Sequence, residues 1–353
     1  MLKFAKAEYM LPIALAACVI AWNGLPSHPI LAVLLLLAPA LGCTLCVVRH
    51  AEALAERLGE PTGTIILTMS VTIIEVVAIS AMMTHGPKNP GVARDTIYSV
   101  VMILLNFTAG ASLLLGGWRH LELQFNLQGA NTYLGVIIPL TVFTLILPDF
   151  TVTTAGPTLT PAQEIFIGAA CIGLYAAFLT AQTMRHRTYF AVEAALHGHE
   201  GPHPPAWVSA LMLILYMIPL IYLAEHLGGP VEKLLLDWHM PEALGGTIVA
   251  FLIVTPEALG AVRAAWANQL QRSVNIFMGS VTSSIGLTIP AMLICGWFTG
   301  LKLTLGLPSS AAVNLVLTLA VSMLTFASGR TNALQGFVHL VLFGTFLLLL
   351  FQG

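Results

Sequence analysis

Two glutamates stand where a carboxylate is hardest to accommodate. Of the 16 acidic residues, only Glu75 and Glu257 fall well inside apolar runs, and no lysine or arginine lies at comparable depth beside either. A carboxylate at the centre of a bilayer costs about 2.5–3.5 kcal/mol on insertion scales, so a sequence that does this twice must cap the charge. Protonation alone would make the pair hydrogen-bonding glue between helices; capping by a cation would make the two acids ligands. Their neighbours favour the second. Thr68, Thr72 and Glu75 recur at i, i+4 and i+7 and share one helical face. In Thr255-Pro256-Glu257 the proline removes a backbone donor and frees a carbonyl, and freed carbonyls in broken membrane helices are ready cation ligands. On the far side of Glu257 the same face carries Ala261, Ala264 and Asn268, which lets another helix approach closely.

The apolar runs that follow each glutamate add further oxygens. Ser99 and Asn106 share a face in one; Ser280, Ser284 and Thr288 share a face in the other. Hydroxyls in membrane helices usually bond back to their own helix, so only phase relative to the glutamates makes Thr68, Thr72, Asn106, Thr255, Ser280 and Ser284 candidate supporting ligands. Carboxylates with hydroxyl, amide and carbonyl oxygens suit a hard cation such as Ca2+, which takes roughly 6–8 oxygen ligands. The sequence has no Cys/His cluster at depth of the kind zinc or copper prefers, and no resident cofactor is called for. One Ca2+ neutralises the pair, and so do two protons. The bare pair is costly to carry through a conformational switch in hydrocarbon, so the predicted chemistry is obligatory exchange of cation for protons.

The elements that must hold these residues are membrane helices. With 57% hydrophobic and 8% charged residues among 353 and a mean hydropathy of +0.88, the chain cannot cover itself with a water-compatible surface. A net charge of −2 gives no basis for a nucleic-acid partner. Apolar runs long enough to span cover 29–48, 63–84, 95–115, 131–148, 163–184, 207–227, 244–266, 273–298, 310–328 and 334–351, with a shorter run at 9–22. The reading is an all-α polytopic protein with about eleven spans. Breaks are expected at His85-Gly86-Pro87, Gly116-Gly117-Trp118-Arg119, Gly156-Pro157, Gly228-Gly229-Pro230 and Gly329-Arg330, and a separate amphipathic helix is expected at 51–60. Lys3 and Lys6 before an apolar stretch also describe a secretion signal, and Leu15-Ala16-Ala17-Cys18 resembles a lipoprotein cleavage site. Hydrophobicity continues through Val19, Ile20 and Trp22, which favours a retained first span. Cys43 and Cys46, spaced C-x-x-C, read as small helix residues one turn apart and not as a redox pair.

Orientation follows from the basic residues. With a cytoplasmic N-terminus, Lys3, Lys6, Arg49, Arg57, Arg119, Arg185, Arg187, Arg263, Arg272 and Arg330 lie inside; Lys88, Arg94, Lys233 and Lys302 lie outside, along with the C-terminus. The chain also repeats itself. Gly63-Thr64-Ile65-Ile66 leads to Glu75 twelve residues on, and Gly245-Gly246-Thr247-Ile248-Val249 leads to Glu257 twelve residues on. The five-span offset inverts one copy relative to the other, the pattern of secondary transporters with midplane sites. The expected organisation is an extra helix over 1–28, a five-helix repeat over 29–184, a His-containing cytoplasmic linker over 185–206, and a second five-helix repeat over 207–353.

At these residues the sequence resembles the calcium/proton antiporters of the cation-exchanger family, most closely the bacterial ones. The stretches that carry the resemblance are Ser-Val-Thr-Ile-Ile-Glu (70–75), Thr-Pro-Glu-Ala (255–258), Asn-Gln-Leu-Gln-Arg-Ser-Val-Asn (268–275) and Thr-Asn-Ala-Leu-Gln-Gly-Phe-Val-His-Leu (331–340). The resemblance implies one leading span and two inverted five-span repeats in a bacterial inner membrane. It further implies alternating access, with Glu75 and Glu257 binding cation or protons in turn and Asn106 matching a polar residue after the first repeat motif. Where many exchangers have Gly-Ser-x-x-Gln, this chain reads Gly279-Ser280-Val281-Thr282-Ser283. Bacterial relatives are also associated with Na+ or K+ exchange, so Na+/H+ or K+/H+ antiport on the same fold is the alternative to Ca2+/H+.

Other polar features are weaker. His186, His197, His199 and His203 fall in the linker, where they would sense pH, bind metal weakly or simply be solvated. Glu225 and His226 are expected at a span end, and Asp149 after Pro148. His339 lies inside the last apolar run and reads as a bond to a neighbouring helix. An intramembrane hydrolase is the competing class, but the chain has no H-E-x-x-H, no G-x-S-x-G and no paired aspartates at depth. A pure scaffold leaves the two buried acids without an offset. Homo-oligomerisation is left open.

Overall fold

In a computed structural model of the chain, the described residues are 9–58, 62–85, 90–154, 157–191 and 205–352. Lys3, Lys6 and the linker histidines His197, His199 and His203 lie outside them. Eight helices among the described residues are long and apolar enough to cross a membrane, and Met10–Asn23, Thr68–Ser80 and Ser309–Thr325 are shorter apolar segments. Every expected span is a helix, because within hydrocarbon only a helix or a closed barrel satisfies its own backbone polar groups.

The helices are α1 (Met10–Asn23), α2 (Pro29–Leu58), α3 (Thr62–His85), α4 (Val92–Met102), α5 (Ala109–His120), α6 (Leu127–Thr141), α7 (Pro161–Thr180), α8 (Ala206–Asp237), α9 (Ala243–Trp266), α10 (Leu270–Ser283), α11 (Ile289–Thr299), α12 (Ser309–Thr325) and α13 (Ala333–Gln352). Segments of π-helix join α4 to α5 (Ile103–Thr108) and α10 to α11 (Ser284–Thr288), so each of these pairs forms one span, Val92–His120 and Leu270–Thr299.

Two expected breaks move, and one expected helix does not separate. No separate helix forms over 51–58: α2 runs on to Leu58, since alanines, glutamates and arginine after Arg49 are good helix formers with no breaker among them; Gly59 and Glu60 lie outside the described residues. Gly116-Gly117 lies inside α5, which ends only where Leu121 takes φ 65°. Gly228-Gly229-Pro230 lies inside the 32-residue α8, so Glu225 and His226 are not at a helix end. His226 stacks on Tyr222, ring centroids 4.1 Å apart. Glycine and proline break helices in water, whereas in lipid an interrupted backbone has no water to turn to and the helix persists.

The chain folds into two compact units, Met1–Val92 with Gly201–Pro256, and Ala93–Glu200 with Glu257–Gly353. Each draws on both halves of the sequence, so the compact units do not coincide with the blocks 29–184 and 207–353. In the first unit α2 packs along α8, with α3 and α1 against both. His50 stacks on Tyr216 at 5.9 Å between centroids, and the Cys18 thiol lies 3.8 Å from the Pro219 carbonyl.

In the second unit α5 packs along α13 through small residues. A Cβ on Gly110 would meet the Gly336 carbonyl at 2.9 Å, and one on Gly336 would meet the Leu114 amide and, at 2.7 Å, the Gly110 carbonyl. Only glycine permits that approach. Elsewhere in the unit α10 lies on α6 and α11 on α7. At one end β1 (Leu123–Gln124) pairs antiparallel with β2 (Arg330–Thr331). There Arg330 meets Glu122 at 3.7 Å, Arg119 sits 4.9 Å over the Trp266 ring, and Gln271 Oε1 accepts from the Asn126 amide at 2.6 Å. At the other end Arg94 bonds Asp95 at 2.8 Å and the Gly306 carbonyl at 3.2 Å, and Trp297 donates to Glu164 at 2.6 Å.

Candidate functional site

Glu75 lies on α3, which has no proline and 24 residues. Thirteen residues separate it from Thr62 and ten from His85, which at about 1.5 Å per residue puts it roughly 20 Å from one helix end and 15 Å from the other. Glu257 occupies the matching place on α9, also of 24 residues, fourteen beyond Ala243 and nine before Trp266. Each glutamate is therefore near the middle of its helix. Glu75 is fully buried, 0% exposed, while Glu257 is half-buried. In the chain, the first unit gives way to the second between Pro256 and Glu257.

The supporting candidates divide by unit. In the first, Thr72 is buried and Thr68 half-buried, on the face of α3 that carries Glu75. The Thr255 hydroxyl donates to the Phe251 carbonyl of its own helix at 2.5 Å, so its hydrogen is spent there. Pro256 sits inside α9 and offers no N–H to the carbonyl of Leu252 four residues back.

In the second unit, Ser99 donates to the Asp95 carbonyl at 2.7 Å and is back-bonded like Thr255. Asn106 lies within the π segment 103–108, and Ser284 and Thr288 lie within the π segment 284–288; all three are buried. Ser280 is half-buried on α10, before that segment. The π geometry shifts the helical phase, so the shared face expected for Ser280, Ser284 and Thr288 at α-helical spacing is altered between the first residue and the other two. Single-turn π bulges are frequent at functional sites. Two of the four π segments among the described residues fall in the spans that follow the two glutamate helices, with Asn106 fourteen residues past Val92 and Ser284 fourteen past Leu270; the others are Val142–Ile146 and Ala181–Arg185.

Asn106 is also tied into a network that sequence reading missed. Its amide nitrogen donates to the Thr318 hydroxyl at 2.8 Å, and its amide oxygen lies 3.1 Å from His339 Nδ1. His339 Nε2 lies 3.0 Å from the Thr325 hydroxyl, and Thr318 donates to the Asn314 carbonyl at 2.9 Å. The four side chains come from the 103–108 segment, α12 and α13. A histidine within an apolar run was the visible signal, but nothing in the sequence points across 233 positions to Asn106.

The profile of the family described as "Sodium/calcium exchanger protein" matches residues 28–184 and 208–352. The chain belongs to the sodium/calcium exchanger protein family. It is similar to the sodium-potassium/proton antiporter ChaA of Escherichia coli, 35% identical over 98% of this chain and 96% of that protein. It is also similar to the Ca(2+)/H(+) antiporter ChaA of Bacillus subtilis, 23% identical over 82% of each. The solved structure of native YfkE superposes with a TM-score of 0.78 at 19% identity, covering 99% of both chains. The exchanger membrane fold therefore extends over the whole chain, and the protein is an integral membrane protein.

Proposed function

We propose that this exchanger-family member is a secondary antiporter that moves Ca2+ against H+ by alternating access, with Glu75 and Glu257 binding the cation and the protons in turn. The observation that carries the reading is Glu75: a fully buried carboxylate at mid-helix depth in a chain of the exchanger family. Two ionised carboxylates carry two negative charges, which one divalent ion or two protons balance. The oxygens of Thr72, Asn106, Ser284 and the Leu252 carbonyl belong to the donor class that a hard cation accepts. Ca2+ and protons are cargo here, and the protein is not an enzyme. The test is Ca2+ uptake into vesicles driven by an imposed pH gradient, with Glu75→Gln and Glu257→Gln as the variants. Transport undiminished in both would refute the assignment.

A second reading makes Na+ or K+ the exchanged ion, and the 35% identity to a sodium-potassium/proton antiporter over nearly the whole chain favours it. Comparing transport of each ion by reconstituted protein separates the two, and indifference to Ca2+ selects the second. The membrane in this reading is a bacterial inner membrane, with the N-terminus cytoplasmic and the C-terminus outside. In support, Arg119, Arg272 and Arg330 of the second unit belong to the segments gathered at the β1–β2 end, while Arg94 is at the other end with Gly306. That division matches the positive-inside bias.

A further inference from the structure

The hydrogen-bond network around Asn106 has a direction, and donor chemistry fixes it. Thr318 spends its hydroxyl hydrogen on the Asn314 carbonyl at 2.9 Å, so toward Asn106 it can only accept, and the Asn106 side-chain nitrogen must face it at 2.8 Å. The amide oxygen therefore faces His339 Nδ1 at 3.1 Å. An amide oxygen cannot donate, so Nδ1 carries the hydrogen. In neutral imidazole Nε2 is then an acceptor, and the Thr325 hydroxyl at 3.0 Å donates to it. The chain of donation runs Thr325 to His339 to Asn106 to Thr318 to the Asn314 carbonyl. All four side chains are at most 2% exposed, so their other partners come from the protein: the Leu105 backbone also bonds the His339 ring, and Met102 Sδ lies 3.7 Å from both the Asn106 nitrogen and the Thr318 hydroxyl.

We infer that His339 is a positioning residue: held in its Nδ1–H tautomer by Thr325, it locks the Asn106 amide with the oxygen toward α13 and the nitrogen toward α12. The lock matters because an amide is a ligand on one side only. A flipped amide puts two N–H donors in the oxygen's place, and a cation accepts the oxygen and is repelled by the donors. This deepens the exchanger reading and rests on it in one respect, that Asn106 is a supporting ligand. His339 touches no cation. It acts through the orientation of Asn106 within the π segment.

Full-length protein and its variants in vesicles give the first test, reading the half-saturating Ca2+ concentration separately from the maximal rate. Losing one buried hydrogen bond predicts that H339A raises the half-saturating concentration about tenfold, with a smaller change in maximal rate. In H339N the amide nitrogen falls where Nδ1 was and restores most of that loss; in H339Q it falls where Nε2 was and does not. Equal behaviour of H339N and H339Q, or an unshifted half-saturating concentration in H339A, would overturn the positioning role. The second test needs no transported ion. In protein labelled with 15N-histidine, the signals missing from H339N belong to His339, and they should report a protonated Nδ1 and a bare Nε2. An Nε2–H tautomer or an imidazolium at neutral pH overturns the lock. If the native protein transports no cation, that result strikes the exchanger reading, and the tautomer still decides whether Asn106 is held as described.

Discussion

Glu75→Gln removes one negative charge and almost no volume, at a side chain that is fully buried and about 15–20 Å from either end of its helix. If one cation is balanced by two carboxylates, the variant carrying Ca2+ retains one uncompensated positive charge. Holding a single charge near the bilayer centre costs about 2.5–3.5 kcal/mol, and each 1.4 kcal/mol or so is a factor of ten. Ca2+ exchange should therefore fall by roughly two orders of magnitude. Monovalent exchange should fall less, because one Na+ or one proton neutralises the remaining carboxylate. The assay is uptake into reconstituted vesicles after a pH jump, run with Ca2+ and with Na+ on the same preparations. A variant that moves Ca2+ within about twofold to threefold of the native rate, the scatter of a neutral surface change, would refute the charge-balance reasoning.

Other expectations follow from particular contacts. Gly336→Val pushes a side chain into the Gly110 carbonyl and the Leu114 amide and should destabilise by about 1–3 kcal/mol, read as a lower thermal midpoint in detergent; an unchanged midpoint would mean that α5 and α13 are not packed this closely. Thr318→Val deprives the Asn106 amide nitrogen of its 2.8 Å acceptor and should cost about 1–3 kcal/mol, measured the same way. Pro256→Ala supplies the Leu252 carbonyl with an N–H, so the protein should become more thermostable while transport slows; faster transport would contradict a ligand role for that carbonyl. A cysteine replacing Lys302 should react with an impermeant thiol reagent added outside intact cells, and one replacing Arg330 only after permeabilisation. The five native cysteines are buried or half-buried and leave a low background.

The spans were legible in the sequence because lipid imposes one rule on every backbone group, and long apolar runs have one solution. The two glutamates were legible for the same reason, since a charge in such a run is conspicuous. Helix ends were less so: Gly228-Gly229-Pro230 carries the signature of a break in water, and α8 passes straight through it. The π segments at 103–108 and 284–288 were invisible, because one extra residue in a turn changes hydrogen-bond partners without changing composition. For the same reason α-helical spacing puts Ser280 on one face with Ser284 and Thr288. His339 stood out in its apolar run, but its partnership with Asn106 is set by how α13 packs against the 103–108 segment, a tertiary fact with no local trace.

The most direct measurement is proton release from purified protein in weakly buffered detergent as Ca2+, Na+ or K+ is added. Protons should leave the native protein as the transported cation enters, and release should vanish when Glu75 and Glu257 are both replaced by Gln. Cation binding that frees no protons, or release that survives the double replacement, would contradict the exchange of metal for hydrogen ions on these two side chains.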